Sequence, residues 1–270
     1  YLEGLKDGAA FYEAAKQVTP HKPIVIWKGG QTEGGSRATH SHTASIAGSM
    51  KIWQAVCKQA GIISVDSLEE LVTTISALEH HDLPGGNKVA MLGGAGGGSV
   101  TMTDDAERQG LQVPKLSEKT ISALAELIPL QGNIISNPLD IVGALVFSLF
   151  ASPNMGQSVD LFIKLFELLR DDPNIDALIC VQKMEMMNRL GLRALIDMFL
   201  KKTCEGVKIM KKAVFIAIEK GRTLVNEALR EEAQEYYKRA GITTFPSFTA
   251  AARVMYNMTQ YRAYLDACRS

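Results

Sequence analysis

The sequence has few cysteines and no pairing of them that suggests a site. The 4 cysteines are spread along the chain, at Cys57, Cys180, Cys204 and Cys268. They form no CxxC pair and lie near no histidine at zinc-ligand spacing, which argues against a disulfide framework and against a metal site. We therefore expect no metal centre, and we expect buried thiols in a reducing cytoplasm.

Long apolar runs and an excess of one charge are also missing. Lys and Arg together number 29, as do Asp and Glu, so no overall field attracts nucleic acid or an anionic membrane. The longest apolar run, 141–151, is shorter than the ~18–20 residues that a membrane span requires. Nucleic acid and membrane are therefore not expected as partners.

What remains is the composition of an ordinary globular protein. The chain has 270 residues, of which 46% are hydrophobic and 21% charged, enough for two domains with separate cores. Short apolar runs without polar alternation are repeatedly separated by helical patterns, and this order is typical of parallel sheets covered by helices. The sequence predicts the α/β class, with two doubly wound parallel-sheet domains.

The same patterns predict the individual elements. Strands are expected at 23–27, 62–65, 88–92, 176–181, 213–218 and 242–245. Helices are expected at 7–18, 49–60, 99–109, 117–128, 158–170, 226–240 and 249–265, and another begins at Ser67 with a capping box.

A polar segment at 80–87, which contains proline and glycine, separates two periodic regions. Such segments are typical of domain boundaries, so the chain is predicted to divide into residues 1–83 and 84–270. His80 and His81 lie in this segment and are expected to be in solvent.

The first segment that could carry chemistry is the long stretch 28–49, rich in Gly, Ser, Thr and His. It follows a buried strand, and a long glycine-rich loop in a compact domain is commonly functional. His40 or His42 could serve there as a nucleophile, a base or a metal ligand. Alternatively, both histidines form ordinary hydrogen bonds in a surface loop.

The second segment lies between a predicted strand and a predicted helix. It consists of Gly93, Gly94, Ala95, Gly96, Gly97, Gly98 and Ser99. Glycine lets main-chain N–H groups converge on an anion, and the helix dipole adds a positive end, so phosphate fits here. The stretch lacks the GK[ST] ending of a P-loop, and a tight turn without function is the alternative.

Asn137 and Asp140 follow a short apolar run and could stand at a further strand end. A plain Asx turn explains them equally well on local grounds.

Several motifs occur together in an order that resembles a known family. In the first half these are 22–25, 28–30, Ser41-His42-Thr43 and Ala47-Gly48-Ser49. In the second half they are 84–89, the glycine-rich turn, Asp104, Gly110-Leu111, Asn137 to Asp140 and Gly241-Ile242. Together they resemble the nucleoside-diphosphate-forming acyl-CoA synthetases, the relatives of succinyl-CoA synthetase and ADP-forming acetyl-CoA synthetase.

The resemblance implies two flavodoxin-like CoA-ligase domains and assigns roles to residues. His42 would carry a phosphoryl group, oriented by Ser41 and Thr43. Gly94 to Ser99 would hold phosphate at one of two helix N-termini, and Asn137 and Asp140 would shape the facing site. Ala44 stands where many relatives have glycine, which would stiffen the histidine segment without removing the nucleophile.

The resemblance also implies cofactors and partners. CoA and ATP or ADP with Mg²⁺ are expected for the complete enzyme, with the nucleotide site outside this chain. CoA-binding and ATP-grasp domains or subunits, a small carboxylic acid and an oligomeric assembly are expected, and the first domain is expected to be incomplete at its N-terminus. The alternative is a pair of acyl-CoA-sensing regulatory domains in a protein acyltransferase.

Overall fold

The structure, a computed structural model, describes residues 1–43, 49–94, 96–129, 131–141, 155–189 and 193–269. At 39–43, 155–160 and 193–195 it describes the main chain alone. The chain forms two compact units. Unit 1 consists of Tyr1–Glu79 with Asn257–Ser270, and unit 2 of His80–Tyr256. The predicted division at 83 and 84 differs from these units, because residues 257–270 return to the first.

Unit 1 contains a two-stranded parallel sheet, formed by β1 (Ile24–Trp27) and β2 (Ile62–Val65). Its helices are α1 (Gly8–Val18), α2 (Glu33–Thr43), α3 (Met50–Ala60) and α4 (Leu68–His80). The core of this unit gathers Ile26 and Ile62 of the sheet with Trp53 and Cys57 of α3.

The ends of the helices in unit 1 follow from local chemistry. The Asp7 carboxylate caps α1 by accepting a hydrogen bond from the main chain of Ala10 at 2.9 Å. Gly61 ends α3 in the left-handed conformation that glycine adopts most readily. The Ser67 hydroxyl accepts from the N–H of Glu70 at 3.1 Å, which confirms the predicted helix start.

Residues from the end of the chain complete unit 1. The Tyr261 hydroxyl donates to the main-chain oxygen of Thr19 at 2.7 Å. The hydroxyls of Tyr264 and Thr19 lie 2.9 Å apart, within hydrogen-bond distance. These contacts explain why residues 257–270 belong with the first part of the sequence.

Unit 2 contains a four-stranded parallel sheet in the order β3 (Val89–Leu92), β4 (Ala177–Gln182), β5 (Ala213–Ile218) and β6 (Thr244–Phe245). Its described helices are α5 (Gly97–Arg108), α6 (Glu118–Leu127), α7 (Met155–Asp171), α8 (Met184–Arg189), α9 (Arg193–Met210), α10 (Leu224–Arg239) and α11 (Phe248–Arg269), the last of which ends in unit 1.

The three long strands of this sheet are buried along their whole length. Phe166 of α7, Leu178 of β4 and Ile216 of β5 belong to one continuous core, together with Tyr237 of α10. Strands without an exposed face are what a sheet covered by helices requires. The predicted α/β class with two parallel sheets is confirmed. None of the described helices combines the length and apolar character that crossing a bilayer requires.

Two local predictions are wrong. Residues 33–43, predicted as part of a loop, form α2, because Thr32 starts a helical turn: its hydroxyl accepts from the N–H of Gly35 at 3.1 Å, and its carbonyl accepts from Ser36 at 2.7 Å. His81, predicted to be in solvent, is partly buried, and its ring stacks on that of Phe215 with 5.6 Å between the ring centroids.

Candidate functional site

The glycine loop, residues 93–98, connects the end of β3 to the start of α5. Gly93 and Gly94 have φ values of 100° and 99°, in the left-handed region. A Cβ atom built on Gly93 would lie 2.4 Å from the main-chain oxygen of Val181, and one on Gly94 would lie 2.9 Å from Sδ of Met102. Glycine is therefore required at both residues, and the loop runs directly against the end of β4.

The N-terminus of α5 is open. Gly96 precedes the helix without capping it through a side chain, and the first turn contains no acidic residue. Cβ atoms built on Gly96, Gly97 and Gly98 would meet nothing within 4 Å. The first N–H groups of a helix have no helical acceptor, so this uncovered turn can bind an anion.

Ser99 and Ala95 complete the set of residues predicted to bind phosphate. Ser99 is buried, and its hydroxyl donates to the main-chain oxygen of Gly94 at 3.4 Å, which ties the helix to the loop. Ala95 lies outside the described residues.

Asn137 occupies a gap on the outer edge of β3. At the start of that strand the N–H of Val89 donates to the oxygen of Gln112 at 2.9 Å, and near its end the N–H of Leu139 donates to Met91 at 2.8 Å. Between these bonds, Asn137 donates to the oxygen of Val89 at 2.8 Å and accepts from the N–H of Met91 at 2.9 Å. Its side chain therefore acts as a missing strand residue, which neither interpretation of the sequence foresaw.

Asp140 lies at the same edge of the sheet as the glycine loop. It follows Leu139, which pairs with Leu92 at the end of β3. Its main chain is fixed by two hydrogen bonds to Ile134, at 2.9 and 3.1 Å, and the residue is half-buried. The structure thus brings Asp140 and the glycine loop together at the carboxyl end of β3.

His42 lies in the last turn of α2, between Ser41 and Thr43. The main chain of all three is helical, and their side chains lie outside the described part of the structure.

A cleft of about 530 Å³ lies beside α2, at the carboxyl ends of the strands of unit 1. Trp27 and Lys28 from the end of β1, Asp66 after β2, and Gly35 and Ala38 of α2 contribute to its wall. Ligands of doubly wound sheets bind at this end of the strands. The helix that carries His42 therefore borders the natural binding edge of its own unit.

Lys28 holds the strand ends of this cleft in place. Its ammonium group donates to the main-chain oxygens of Glu3, at 2.6 Å, and Gly29, at 2.8 Å. Burial lowers the pKa of Lys28, against the opposing charge of Glu3.

A second cleft in unit 2 was missed by the sequence analysis. It has a volume of about 250 Å³ and lies where β4 and β5 end. Lys183 follows β4 directly and Glu219 follows β5 directly, and their side chains pair at 3.3 Å. The signal in the sequence was a charged residue immediately after each of two buried strands.

The described residues hold no group of three or more His, Cys, Asp or Glu that could bind a metal ion. Cys57, Cys180 and Cys204 are buried and unpaired, as predicted, whereas Cys268 is exposed. Burial raises the pKa of Cys57 and of Cys180 to about 12, so these thiols stay protonated and are poor nucleophiles at neutral pH.

Comparison with known proteins agrees with this architecture. The succinyl-CoA ligase like flavodoxin domain family matches residues 1–78. The alpha subunit of ADP-forming acetate–CoA ligase II from Pyrococcus furiosus is 38% identical over 181 residues, which are 67% of this chain and 36% of that subunit. The ADP-forming 4-hydroxybutyrate–CoA ligase from Nitrosopumilus maritimus is 33% identical over 152 residues, covering 56% of this chain and 22% of that protein.

A solved structure is similar over the whole chain. It is dinucleotide-forming acetyl-coenzyme A synthetase 1 from Ca. Korarchaeum cryptofilum, in complex with phosphate and ADP. Its TM-score is 0.77 at 27% identity, and the match covers 100% of this chain and 54% of the other.

Two parallel-sheet units and a glycine loop at a strand end define flavodoxin-like domains of the CoA-ligase type. These comparisons support the nucleoside-diphosphate-forming acyl-CoA synthetase family for this chain. It spans 36% of the length of the Pyrococcus subunit and 54% of the solved relative.

Proposed function

We propose that this chain is part of an acyl-CoA synthetase, an acid–CoA ligase that forms a nucleoside diphosphate. The complete enzyme interconverts acyl-CoA, nucleoside diphosphate and phosphate with free acid, CoA and nucleoside triphosphate. Acyl phosphate and phosphohistidine are the intermediates. Support comes from relatives named as ADP-forming CoA ligases and from the open helix N-terminus behind the glycine loop.

The observation that carries the proposal is the uncovered first turn of α5. Gly94, Ala95, Gly96, Gly97, Gly98 and Ser99 form the proposed phosphate site. The neutral glycines leave the charge of the anion to the helix N-terminus, so the phosphoryl group is held without a permanent lysine partner and can leave again. A carrier site has to release its group as readily as it binds it.

His42 is the proposed phosphoryl carrier. A neutral imidazole nitrogen attacks the phosphorus of an acyl phosphate, an N–P bond forms, and the P–O bond to the acyl group breaks and releases the free carboxylate. The phosphohistidine then passes the group to a nucleoside diphosphate. In this proposal Ser41 and Thr43 orient the imidazole, and Asn137 and Asp140 support the facing phosphate site.

For Asn137 the supporting role has a specific physical form. Its side chain fixes β3 by bonding Val89 and Met91, and β3 leads directly into the glycine loop. Asn137 thus positions the loop and needs no contact with a ligand. Asp140 offers a half-buried carboxylate at the same strand end.

The remaining components belong to other domains or subunits in this proposal. CoA-binding and ATP-grasp parts supply the sites for CoA and for ATP or ADP, and Mg²⁺ accompanies the nucleotide. The acid is a small carboxylic acid, and the complete enzyme is an oligomer. Four cysteines without a disulfide agree with a cytoplasmic setting.

The decisive experiment labels the full-length protein, with its partner subunits, using γ-labelled ATP. Label on His42 is expected to be labile to acid and stable to base, as phosphohistidine is. His42→Ala is expected to abolish both label and overall turnover, because no other nucleophile replaces it in the relay.

His40→Ala is the matched control, since the same residue type is removed two residues away on the same helix. It is expected to retain the label. Normal labelling and turnover in His42→Ala would disprove the carrier assignment. Acyl-CoA binding without any labelling of the wild-type protein would favour the sensory domain of a protein acyltransferase instead.

A further inference from the structure

The helix α4 exposes a continuous row of large aliphatic side chains. Leu68, Val72 and Ile75 are 58%, 57% and 47% exposed. Their spacing of four and three residues places all three on one face of the helix, one above the other. These three residues are here called the α4 stripe.

The α4 stripe does not serve the core of unit 1. The fully buried residues of α4 are Thr74 and Ala77, and Leu71 and Leu78 are half-buried. At about 100° per residue, the mean direction of these four residues lies roughly 110° around the helix from that of the stripe. The inner face of α4 is therefore complete without the stripe, and a surface helix ordinarily has polar residues on its remaining face.

Exposed aliphatic residues on other described helices do not form such a row. Ile52 on α3 and Val100 on α5 are 66% and 63% exposed, and neither has another large exposed aliphatic side chain one turn away. Single exposed aliphatic side chains are ordinary on protein surfaces, whereas a contiguous patch marks an interaction site. The α4 stripe is of the second kind.

The charge around the stripe is negative. The helix contains Glu69, Glu70 and Glu79 and neither lysine nor arginine, in a chain whose net charge is zero. The carboxylate of Glu70 already accepts a hydrogen bond from the amide of Asn257, at 2.8 Å. Glu69 and Glu79 are exposed and form no ion pair with other described residues. One carboxylate near each end of the stripe can therefore pair with a cation from outside.

This charge decides between the possible occupants of the stripe. Nucleic acid and anionic lipid carry the same sign and are repelled. Two copies of α4 packed against each other would bring their glutamates together, which is unfavourable for the same reason. An occupant with positive charge beside an apolar surface fits.

We infer that the α4 stripe is a docking site for a partner protein that presents an amphipathic helix with basic residues beside its apolar face. The apolar face of that helix covers Leu68, Val72 and Ile75, whose spacing matches the anchor spacing of helix recognition. Lysine or arginine at its margins pairs with Glu69 and Glu79. This surface is separate from the proposed phosphate site and does not depend on the proposed function.

Fluorescence anisotropy of a labelled peptide, titrated with the 270-residue chain, tests this. The probe is a helical peptide of leucine and lysine, with leucine at i, i+3, i+4 and i+7 spacing. One control peptide has glutamate in place of lysine, and another has the same composition in an order that destroys the apolar face. The probe is expected to bind at least about tenfold more tightly than either control peptide.

Variants of the chain locate the binding. Val72→Ser is expected to weaken probe binding about tenfold, because it removes the central apolar side chain of the stripe. Val100→Ser is the matched control, an exposed valine on a helix of unit 2, and should leave binding unchanged. Joint replacement Glu69→Gln and Glu79→Gln should weaken binding, and more so at low salt. Glu13→Gln, at an exposed glutamate of α1, should not.

Equal binding of the basic and acidic peptides overturns the inference, and so does equal weakening by Val72→Ser and Val100→Ser. Analytical ultracentrifugation over rising protein concentration tests the rival occupant. No self-association that depends on Val72 is expected. A dimer that Val72→Ser abolishes would assign the stripe to a second copy of the chain and overturn the inference.

Discussion

The side-chain oxygen of Asn137 accepts a hydrogen bond from the main-chain N–H of Met91, at 2.9 Å. The amide of the same side chain donates to Val89 at 2.8 Å and to Pro114 at 2.9 Å. One side chain thus satisfies an N–H and two carbonyls next to the outermost long strand of unit 2, and that strand leads into the proposed phosphate site.

Asn137→Ala is expected to destabilise unit 2 by about 3 kcal/mol, because buried main-chain groups of β3 lose their partners. Urea unfolding followed by circular dichroism measures this. The urea transition followed by tryptophan fluorescence should be the same in the variant and the wild type, since both tryptophans, Trp27 and Trp53, lie in unit 1. Asn133→Ala is the control: Asn133 bonds exposed carbonyls of the same segment, so its loss should cost less than about 1 kcal/mol.

Gly93→Ala and Gly98→Ala are expected to change the stability of unit 2 in opposite directions. The first places Cβ 2.4 Å from the oxygen of Val181 at a φ of 100°, and should lower the unfolding free energy by more than about 2 kcal/mol. The second adds Cβ within α5, where nothing lies within 4 Å, and should stabilise the helix by up to about 1 kcal/mol. Equal destabilisation of unit 2 by both substitutions, in urea unfolding, would contradict this.

Phosphate is expected to bind at the open N-terminus of α5. Titration followed by amide NMR shifts should perturb Gly94 and residues 96–99, because an anion bound at the first turn of α5 would lie beside these amides. The N-terminus of α6 is an internal control, since the Ser117 hydroxyl already accepts from the N–H of Thr120 there. Shifts of equal size at both helix starts would indicate non-specific binding.

His81 is expected to make the stability of unit 2 depend on pH. Burial lowers the pKa of His81 to about 4 from its ordinary 6.5, with His80 adding to this and Asp82 opposing it. Below pH 6.5 the unfolded chain therefore binds a proton at His81 that the folded unit does not bind. Up to about 3 kcal/mol of the unfolding free energy of unit 2 is lost as pH falls to about 4.

His81→Phe keeps the ring beside Phe215 and removes the titrating group, so the difference in stability between variant and wild type should grow across this window. Nε2 of His81 has no hydrogen-bond partner among the described residues, so phenylalanine breaks none. His21→Phe, at an exposed histidine of unit 1, serves as the control. Parallel pH profiles of His81→Phe and wild type would rule out this account.

Tyr237 and Tyr236 form a natural pair for comparison. The Tyr237 hydroxyl is buried and exchanges hydrogen bonds with the Gln182 side chain, at 2.7 and 3.0 Å. Tyr237→Phe should lower the unfolding free energy by about 2 kcal/mol, because the buried amide of Gln182 then loses the hydroxyl to which it donates. Tyr236 is 39% exposed, and Tyr236→Phe should change the unfolding free energy little.

The strands and most helices could be predicted because their signals are local. Runs such as 177–181 and 213–218 are apolar throughout, which only a sheet covered on both faces accommodates. The helix α2 was not predicted, since glycine, serine and threonine have weak helical propensity, and its start depends on the Thr32 cap.

The parts of the site that depend on long-range contacts could not be predicted from the sequence. The glycine loop was recognisable from its composition, but the partner of Asn137 lies 46 residues away, on β3. Likewise Lys183 and Glu219 pair only because β4 and β5 are neighbours in the sheet. A single sequence carries no signal for such pairs beyond the general rule that strand ends converge.

The return of the last residues to unit 1 has a consequence for how the protein can be divided. In chain order, unit 2 is an insertion within unit 1, so no single cut releases unit 1 intact. A polypeptide that stops at residue 78, where the family match ends, keeps Thr19 but lacks Tyr261 and Tyr264, its two hydroxyl partners. A circular permutant in which residues 257–269 precede residue 1 would carry the whole of this unit as one continuous stretch.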